Sequence, residues 1–106
     1  MLESTVWRQY HENNSFRELI SEFSMIDAMD LIVEDKELYS TLKAKLTKKE
    51  LKLFAMDTAN LGDDVLLKEF SYDETALTNA KFKLYKKLKQ DKTRLEFRES
   101  SRDRQA

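Results

Sequence analysis

Apolar residues recur every three to four positions along most of this chain, which is the spacing that places them on one face of an α-helix. The first such face lies between residues 16 and 23, at a Ser15–Glu18 capping box. A second apolar run covers residues 25–33, and a third face follows. The apolar residues of the first and third faces are Phe16, Leu19, Ile20, Phe23, Leu38, Tyr39 and Leu42. We therefore predict that the N-terminal region is helical.

Residues 46–88 contain three further helical stretches separated by two short joints. Thr47 and Glu50 form a capping box at the first start. Asn60 tolerates the left-handed conformation that ends a helix, and Asp73 is a good cap for the last stretch. The inward side of that last stretch is Leu77, Ala80 or Lys81, Leu84 and Leu88. The pattern predicts helices over 46–60, 61–71 and 73–89, with the last two joined by a tight turn.

The composition favours an all-α fold. The 106 residues include no proline and one glycine, whereas a β-sheet protein would need turn residues between its strands. A chain of this length can form one modest hydrophobic core without disulfides or metals. We predict a small all-α helical bundle with a C-terminal three-helix unit that resembles a helix-turn-helix.

The charges are unevenly distributed. Residues 1–45 and 46–77 have net charges of −4 and −3, whereas residues 78–106 have a net charge of +6. Such asymmetry indicates an anionic partner or an acidic surface of the same protein, but a solvated lysine-rich helix gives the same pattern. We divide the chain into an N-terminal helical region (1–45) for dimerisation or partner binding, a helix-turn-helix-like unit (46–89) packed with it, and a basic, flexible tail (90–106).

The residue types exclude several kinds of site. The chain has no cysteine, so it can form no disulfide and no thiolate metal site. Its only histidine, His11, cannot belong to a site with two imidazoles, and we expect it on the surface beside Glu12. The methionines are expected to fill the core. We therefore predict no enzymatic activity, no catalytic residue, no metal, no cofactor and no small-molecule substrate.

The sequence also gives no sign of a membrane location. No apolar run approaches the roughly 20 residues that cross a bilayer. The first residues carry acids and lack the continuous apolar stretch of a signal peptide. The expected location is the cytoplasm, without a membrane partner.

Residues 46–88 resemble the DNA-binding domain of LuxR-type regulators and the related region 4 of sigma factors. The matching positions are Leu46, Thr47, Glu50, Leu61, Leu66, Phe70, Tyr72, Asp73, Leu77, Leu84, Lys87 and Leu88. Asn60 replaces a junction glycine of that family, Leu67 replaces an alanine of the scaffold helix, and Ser71 replaces a glycine of the turn. The last two changes would open the angle between the helices.

This resemblance implies a small transcription regulator that reads double-stranded DNA with its last helix. The residues that would face DNA are Thr75, Thr78, Asn79, Phe82, Lys83, Lys86 and Lys87. Asn79 can pair with adenine through two hydrogen bonds, and lysines can contact phosphates. Phe82 stands where a basic residue is expected, and Asp73 and Glu74 would repel phosphates.

A second hypothesis is that the bundle is a protein-interaction module of helix-turn-helix shape that does not read DNA. The aromatic anchors would then be Trp7, Tyr10, Phe82 and Tyr85, because aromatic residues are favoured at interfaces. A third is a homodimer whose apolar N-terminal faces pack against each other. The sequence leaves these partners open.

Overall fold

The computed structural model describes residues 5–11 and 16–99, and these residues form an all-α protein, as predicted. The α-helices of the described residues are α1 (Val6–Tyr10), α2 (Phe16–Ser24), α3 (Asp35–Lys45), α4 (Lys48–Thr58), α5 (Asp63–Phe70), α6 (Glu74–Lys89) and α7 (Asp91–Arg94). Short 3₁₀ helices lie at Ala28–Asp30 and Leu95–Phe97. The β-type pairing within the described residues is one isolated bridge between Leu31 and Arg98.

The start of α4 is fixed by the predicted capping box. The Glu50 N–H donates to Thr47 Oγ1 at 3.1 Å, and the Thr47 N–H donates to Glu50 Oε1 at 2.9 Å. The same Glu50 oxygen accepts a hydrogen bond from Lys87 Nζ at 2.7 Å. Burial alone would raise the pKa of Glu50, but the hydrogen bonds from Lys87 and Thr47 outweigh it and lower that pKa. Glu50 therefore ties the beginning of α4 to the end of α6.

The joints on either side of α5 each contain one residue in the left-handed region. Asn60 has a φ of 64°, which confirms the prediction that it ends the first helix of the unit. Ser71, which follows α5, has a φ of 56° and a ψ of 39°. Asp73 then caps α6 by accepting a hydrogen bond from the Ala76 N–H at 2.7 Å, as predicted. The joint between α5 and α6 is three residues long.

One hydrophobic core joins the N-terminal helices to the three-helix unit. Helix α1 packs on α4, α2 packs on α6, and α4, α5 and α6 contact one another. The leucines of the predicted inward side of α6 and all three residues of the third face are buried, whereas Ala80 and Lys81 of α6 are half-buried. Leu19 and Phe23 of the first face are half-buried as well. Ser15, the predicted cap of α2, lies outside the described residues.

The prediction of a flexible tail from residue 90 is wrong for residues 90–99. These residues form α7 and a 3₁₀ helix, and Phe97 is fully buried. The Ile32 N–H donates to the Phe97 carbonyl at 2.9 Å, so this segment pairs with the chain that follows α2. Two buried side chains, Thr93 and Phe97, are too sparse to produce a helical pattern in the sequence. Residues 100–106 lie outside the described part.

The prediction that the methionines fill the core holds for Met56 and fails for two others. Met56 is buried, but Met25 and Met29 are 77% and 91% exposed. The apolar run 25–33 is not a regular helix, because Met25 has a φ of 59° and a 3₁₀ helix follows it. Met1 lies outside the described residues.

We predict that Ser71→Gly raises the free energy of unfolding by about 0.5 to 1 kcal/mol. A residue with a side chain pays for the left-handed conformation at this position, whereas glycine does not, and part of the gain is offset by the larger entropy of the unfolded chain. Denaturant unfolding followed by circular dichroism measures the change.

The control is Ser40→Gly, at an exposed position inside α3. Glycine weakens a helix interior, so this variant should lose about 0.5 kcal/mol. Equal effects of the two glycines would contradict the assignment of Ser71 to the left-handed region.

Candidate functional site

The outward side of α6 is the best candidate for a functional surface. The buried residues Leu77, Leu84 and Leu88 hold the opposite side of this helix against the core. The predicted DNA-facing residues that lie exposed on α6 are Thr75, Thr78, Asn79, Phe82, Lys83 and Lys86. Phe82 is 66% exposed, which is unusual for a large aromatic side chain.

This outward side is divided into two flanks. Asn79 and Lys83 line a groove of about 420 Å³ between α4 and α6, together with Lys49 and Tyr72; we call it the Asn79 flank. The other side, the Phe82 flank, consists of Thr78, Phe82, Lys86 and Lys89. The sequence pattern placed Thr78, Asn79, Phe82, Lys83 and Lys86 on one surface, whereas the structure divides them between the two flanks.

Two aromatic rings form one wall of the Asn79 flank. The rings of Phe70 and Tyr72 are stacked, with centroids 5.6 Å apart. Lys49 Nζ lies over the Tyr72 ring, 5.8 Å from its centroid, and Lys52 Nζ lies over the Phe70 ring, 6.0 Å from its centroid. Both ammonium groups therefore make cation–π interactions with these rings. Sequence reasoning did not assign Lys49 or Phe70 to the site, because their proximity depends on the turn at Ser71.

Two lysines of α6 are held by carboxylates of the protein itself. Lys81 Nζ lies 3.1 Å from Asp57 and 2.7 Å from Asp63. Burial alone would lower the pKa of Lys81, but its hydrogen bonds to Asp63 and Asp57 outweigh burial and raise that pKa. Lys87, a predicted DNA contact, is half-buried and bound to Glu50. These two side chains hold α6 in position.

Other lysines of α6 face solvent. Lys83, Lys86 and Lys89 are exposed, and within residues 5–11 and 16–99 none of them forms an ion pair. Lys86 Nζ lies 5.8 Å from the centroid of the Phe82 ring. The cationic groups that α6 itself contributes to the candidate surface are therefore these three, and Lys49 of α4 adds a fourth at the Asn79 flank.

Tyr85 was predicted to be a partner anchor, but it faces the inside of the bundle. It is half-buried, its hydroxyl donates to Asp57, and its ring stacks on Phe23 of α2 with centroids 4.9 Å apart. Burial and the neighbouring Asp57 carboxylate both raise the pKa of the Tyr85 hydroxyl, so it stays protonated. These contacts attach α6 to α2 and α4.

Trp7 is also inside the protein and not at a surface. It is 1% exposed and lies against Phe16 and Phe54. Its ring stacks on His11, with centroids 3.9 Å apart and an interplanar angle of 3°. The prediction of Trp7 as a partner anchor is therefore wrong, because α1 packs its aromatic side onto α4. Tyr10 is half-buried and packs against the core.

The expectation that His11 lies on the surface is wrong as well. His11 is 7% exposed, and its Nε2 lies 3.0 Å from the Ala55 carbonyl and 3.1 Å from Thr58 Oγ1. A carbonyl can only accept, so Nε2 carries the proton of the neutral ring. The four-residue spacing of Trp7 and His11 was the sequence signal that both rings share one side. Glu12 lies outside the described residues.

The described residues offer no group of three His, Cys, Asp or Glu side chains placed to hold a metal ion. In the same part of the chain, no helix has the length and apolar character needed to cross a membrane.

Comparison with known proteins adds no relative to this picture. No family model matches the chain, and neither a curated protein nor a solved structure matches it. The resemblance of residues 46–88 to a DNA-binding domain therefore stays a prediction that depends on the residues themselves.

We predict that acid weakens the attachment of α1 to α4. Burial lowers the pKa of His11 below its ordinary value of 6.5, and the hydrogen bond to Ala55 only partly opposes this. The unfolded chain therefore takes up a proton at a higher pH than the folded protein. The stability that neutral His11 provides is complete above about pH 6.5 and is lost as the pH falls through the lower folded value.

Trp7 is the only tryptophan, and its ring stacks on His11. Its fluorescence therefore reports the protonation of His11. Emission should change as the pH falls below about 6.5, together with a fall in the denaturant midpoint. In His11→Gln, which cannot become charged in this range, the fluorescence step should disappear. An unchanged step in that variant would show that another group causes it.

Proposed function

We propose that this protein is a small DNA-binding transcription regulator whose helix α6 enters the major groove of double-stranded DNA. The observation that supports the proposal best is the outward side of α6, where hydrogen-bonding side chains of the first turns are followed by exposed lysines. In helix-turn-helix proteins the first part of the second helix contacts base edges. A three-residue joint before α6 fits the short turn of that motif.

Each side chain on this surface has a chemical role that follows from its position. Asn79 can donate to and accept from the N7 and N6 groups of one adenine, and Thr75 and Thr78 can reach bases or phosphates. Phe82 can contact a thymine methyl group. Lys83 and Lys86 would bind phosphates on the two sides of the groove. Lys87 is no longer part of this set, because Glu50 holds it.

The acidic residues near α6 oppose this function less than their number in the sequence suggests. Asp63 is paired with Lys81, and the Asp73 carboxylate accepts the Ala76 N–H at the positive end of α6. Glu74 is exposed and would still repel phosphates. We therefore expect modest affinity that depends strongly on salt.

The test is fluorescence anisotropy with random-sequence duplex DNA at several salt concentrations. We expect binding that weakens steeply as salt rises, because bound lysines release counterions from DNA. Lys83→Gln and Lys86→Gln should each weaken binding and reduce the salt slope by about one unit. Lys36→Gln, at an exposed position of α3, is the matched control and should bind as the wild type does.

Selection of preferred sequences from a duplex library then distinguishes phosphate contacts, which position the protein on DNA, from base contacts, which recognise the sequence. Asn79→Ala should remove a preference for adenine at one position, a loss of about 1 to 3 kcal/mol in discrimination, while binding to random DNA persists. The proposal fails if the wild type does not bind at low salt, or if Lys36→Gln weakens binding as much as Lys83→Gln does.

A second function, a protein-interaction module, is favoured by one observation. Phe82 is 66% exposed and forms an apolar centre between Lys86 and Thr78 on its flank. If a protein binds here, Phe82→Ala should abolish its capture by the tagged protein while circular dichroism shows an unchanged fold. Val65→Ala, an exposed apolar position of α5, should retain the partner. If the Phe82→Ala variant still captures the partner, the protein-interaction hypothesis is wrong.

A further inference from the structure

A second exposed apolar surface lies outside α6. Three large hydrophobic side chains that face solvent fall within residues 25–33: Met25 is 77%, Met29 is 91% and Val33 is 69% exposed. Neighbouring apolar residues of the same segment, Ile26, Leu31 and Ile32, are buried. A grouped exposure of this kind marks an interaction site more often than scattered single residues do.

This surface is built on a fixed backbone. The Arg17 guanidinium donates to the carbonyls of Ile32 and Val33 at 2.7 and 2.6 Å, and it pairs with Asp35 at 2.8 Å. The Ile32 N–H is bound to the Phe97 carbonyl. Arg17 thus binds two successive carbonyls, and the buried Ile32 side chain attaches the same segment to the core. The solvent-facing Val33 stands on a supported backbone, as a binding surface requires.

Acidic residues alternate with these exposed apolar residues along the same segment. Asp27, Asp30 and Glu34 are exposed, and Asp27 also accepts the Met29 N–H at 3.1 Å. We call this set the methionine surface; it consists of Met25, Asp27, Met29, Asp30, Val33 and Glu34. Within the described part of the chain, none of its carboxylates takes part in an ion pair.

The Phe82 flank of α6 has the complementary chemistry. It presents one exposed aromatic ring with the ammonium groups of Lys86 and Lys89. Methionine sulfur packs favourably against aromatic rings, and carboxylates attract ammonium groups across an interface. The chain thus carries an acidic apolar surface and a basic apolar surface on different elements.

We propose that the methionine surface of one copy binds the Phe82 flank of a second copy. The two surfaces are different, so the contact is head-to-tail, and a pair of copies keeps one free methionine surface on one copy and one free Phe82 flank on the other. Further copies add until a ring closes or the concentration becomes limiting. The interface does not depend on DNA binding, but it covers Phe82 and Lys86, so DNA on α6 and a second copy on α6 exclude each other.

The first test is sedimentation velocity over a dilution series at low salt, without DNA. The average mass of the wild type should rise with concentration and fall with added salt. Asp30→Lys and Lys86→Glu place like charges together and should each weaken association by about tenfold or more. The controls Asp64→Lys and Lys68→Glu change exposed charges of α5 and should associate as the wild type does.

The decisive test mixes the two inactive variants. Asp30→Lys keeps an intact Phe82 flank, and Lys86→Glu keeps an intact methionine surface. Their mixture should associate again although neither variant does so alone, because the intact methionine surface of Lys86→Glu can bind the intact Phe82 flank of Asp30→Lys. Met29→Ser leaves all charges in place. This variant should associate more weakly than the wild type does.

Several results would overturn the proposal. A wild type that stays monomeric at every concentration excludes it. If only one of the two charge reversals reduces association, the contact is symmetric, through one surface alone, and the proposal is wrong. Mixed variants that stay monomeric overturn it as well. The DNA titration is a separate measurement, so either proposal can fail while the other stands.

Discussion

The arrangement of the bundle depends on the aromatic contacts of Phe54, which is fully buried in the middle of α4. Its ring meets one aromatic side chain from each of three other helices: Trp7 of α1 at 5.4 Å, Phe23 of α2 at 5.6 Å and Tyr85 of α6 at 6.3 Å between centroids. Pairs of this kind contribute about 0.5 to 1.5 kcal/mol beyond the area they bury. Because all three share Phe54, the positions of α1, α2 and α6 are coupled through α4, and the outward side of α6 is set from the core.

Polar contacts complete what this aromatic cluster begins. Glu50 holds Lys87 near the end of α6, and Asp57 holds Lys81 and Tyr85 in its middle. These carboxylates lie on α4, so the helix that carries Phe54 also fixes α6 electrostatically. These contacts divide the lysines of α6 into two groups. Lys81 and Lys87 are paired with carboxylates and position the helix, whereas Lys83, Lys86 and Lys89 can contact a partner.

The sequence predicts well what neighbouring residues decide and poorly what distant residues decide. Thr47, Asn60 and Asp73 were assigned correctly as caps, because a cap depends on atoms three or four residues away. The burial of His11 depends on the carbonyl of Ala55, 44 positions along the chain, and no local pattern contains that information. The candidate site is divided in the same way. The exposed positions of α6 follow from helical spacing, whereas the separation into the Asn79 and Phe82 flanks requires the turn at Ser71 and the neighbouring α4.

The pairing of residues 90–99 with the segment after α2 has a consequence for the order of folding. Val33 and Glu99 are 66 positions apart, so this contact closes a long loop, whereas the contacts among α4, α5 and α6 close short ones. Loop-closure entropy therefore favours the three-helix unit forming first and the closing segment docking last. The same segment is the natural first part to open, and its departure would uncover Leu31 and Ile32 beside Met29 and Val33. A partly open molecule would then present a wider apolar surface than the closed one, and the site of self-contact would coincide with the site of greatest risk of aggregation.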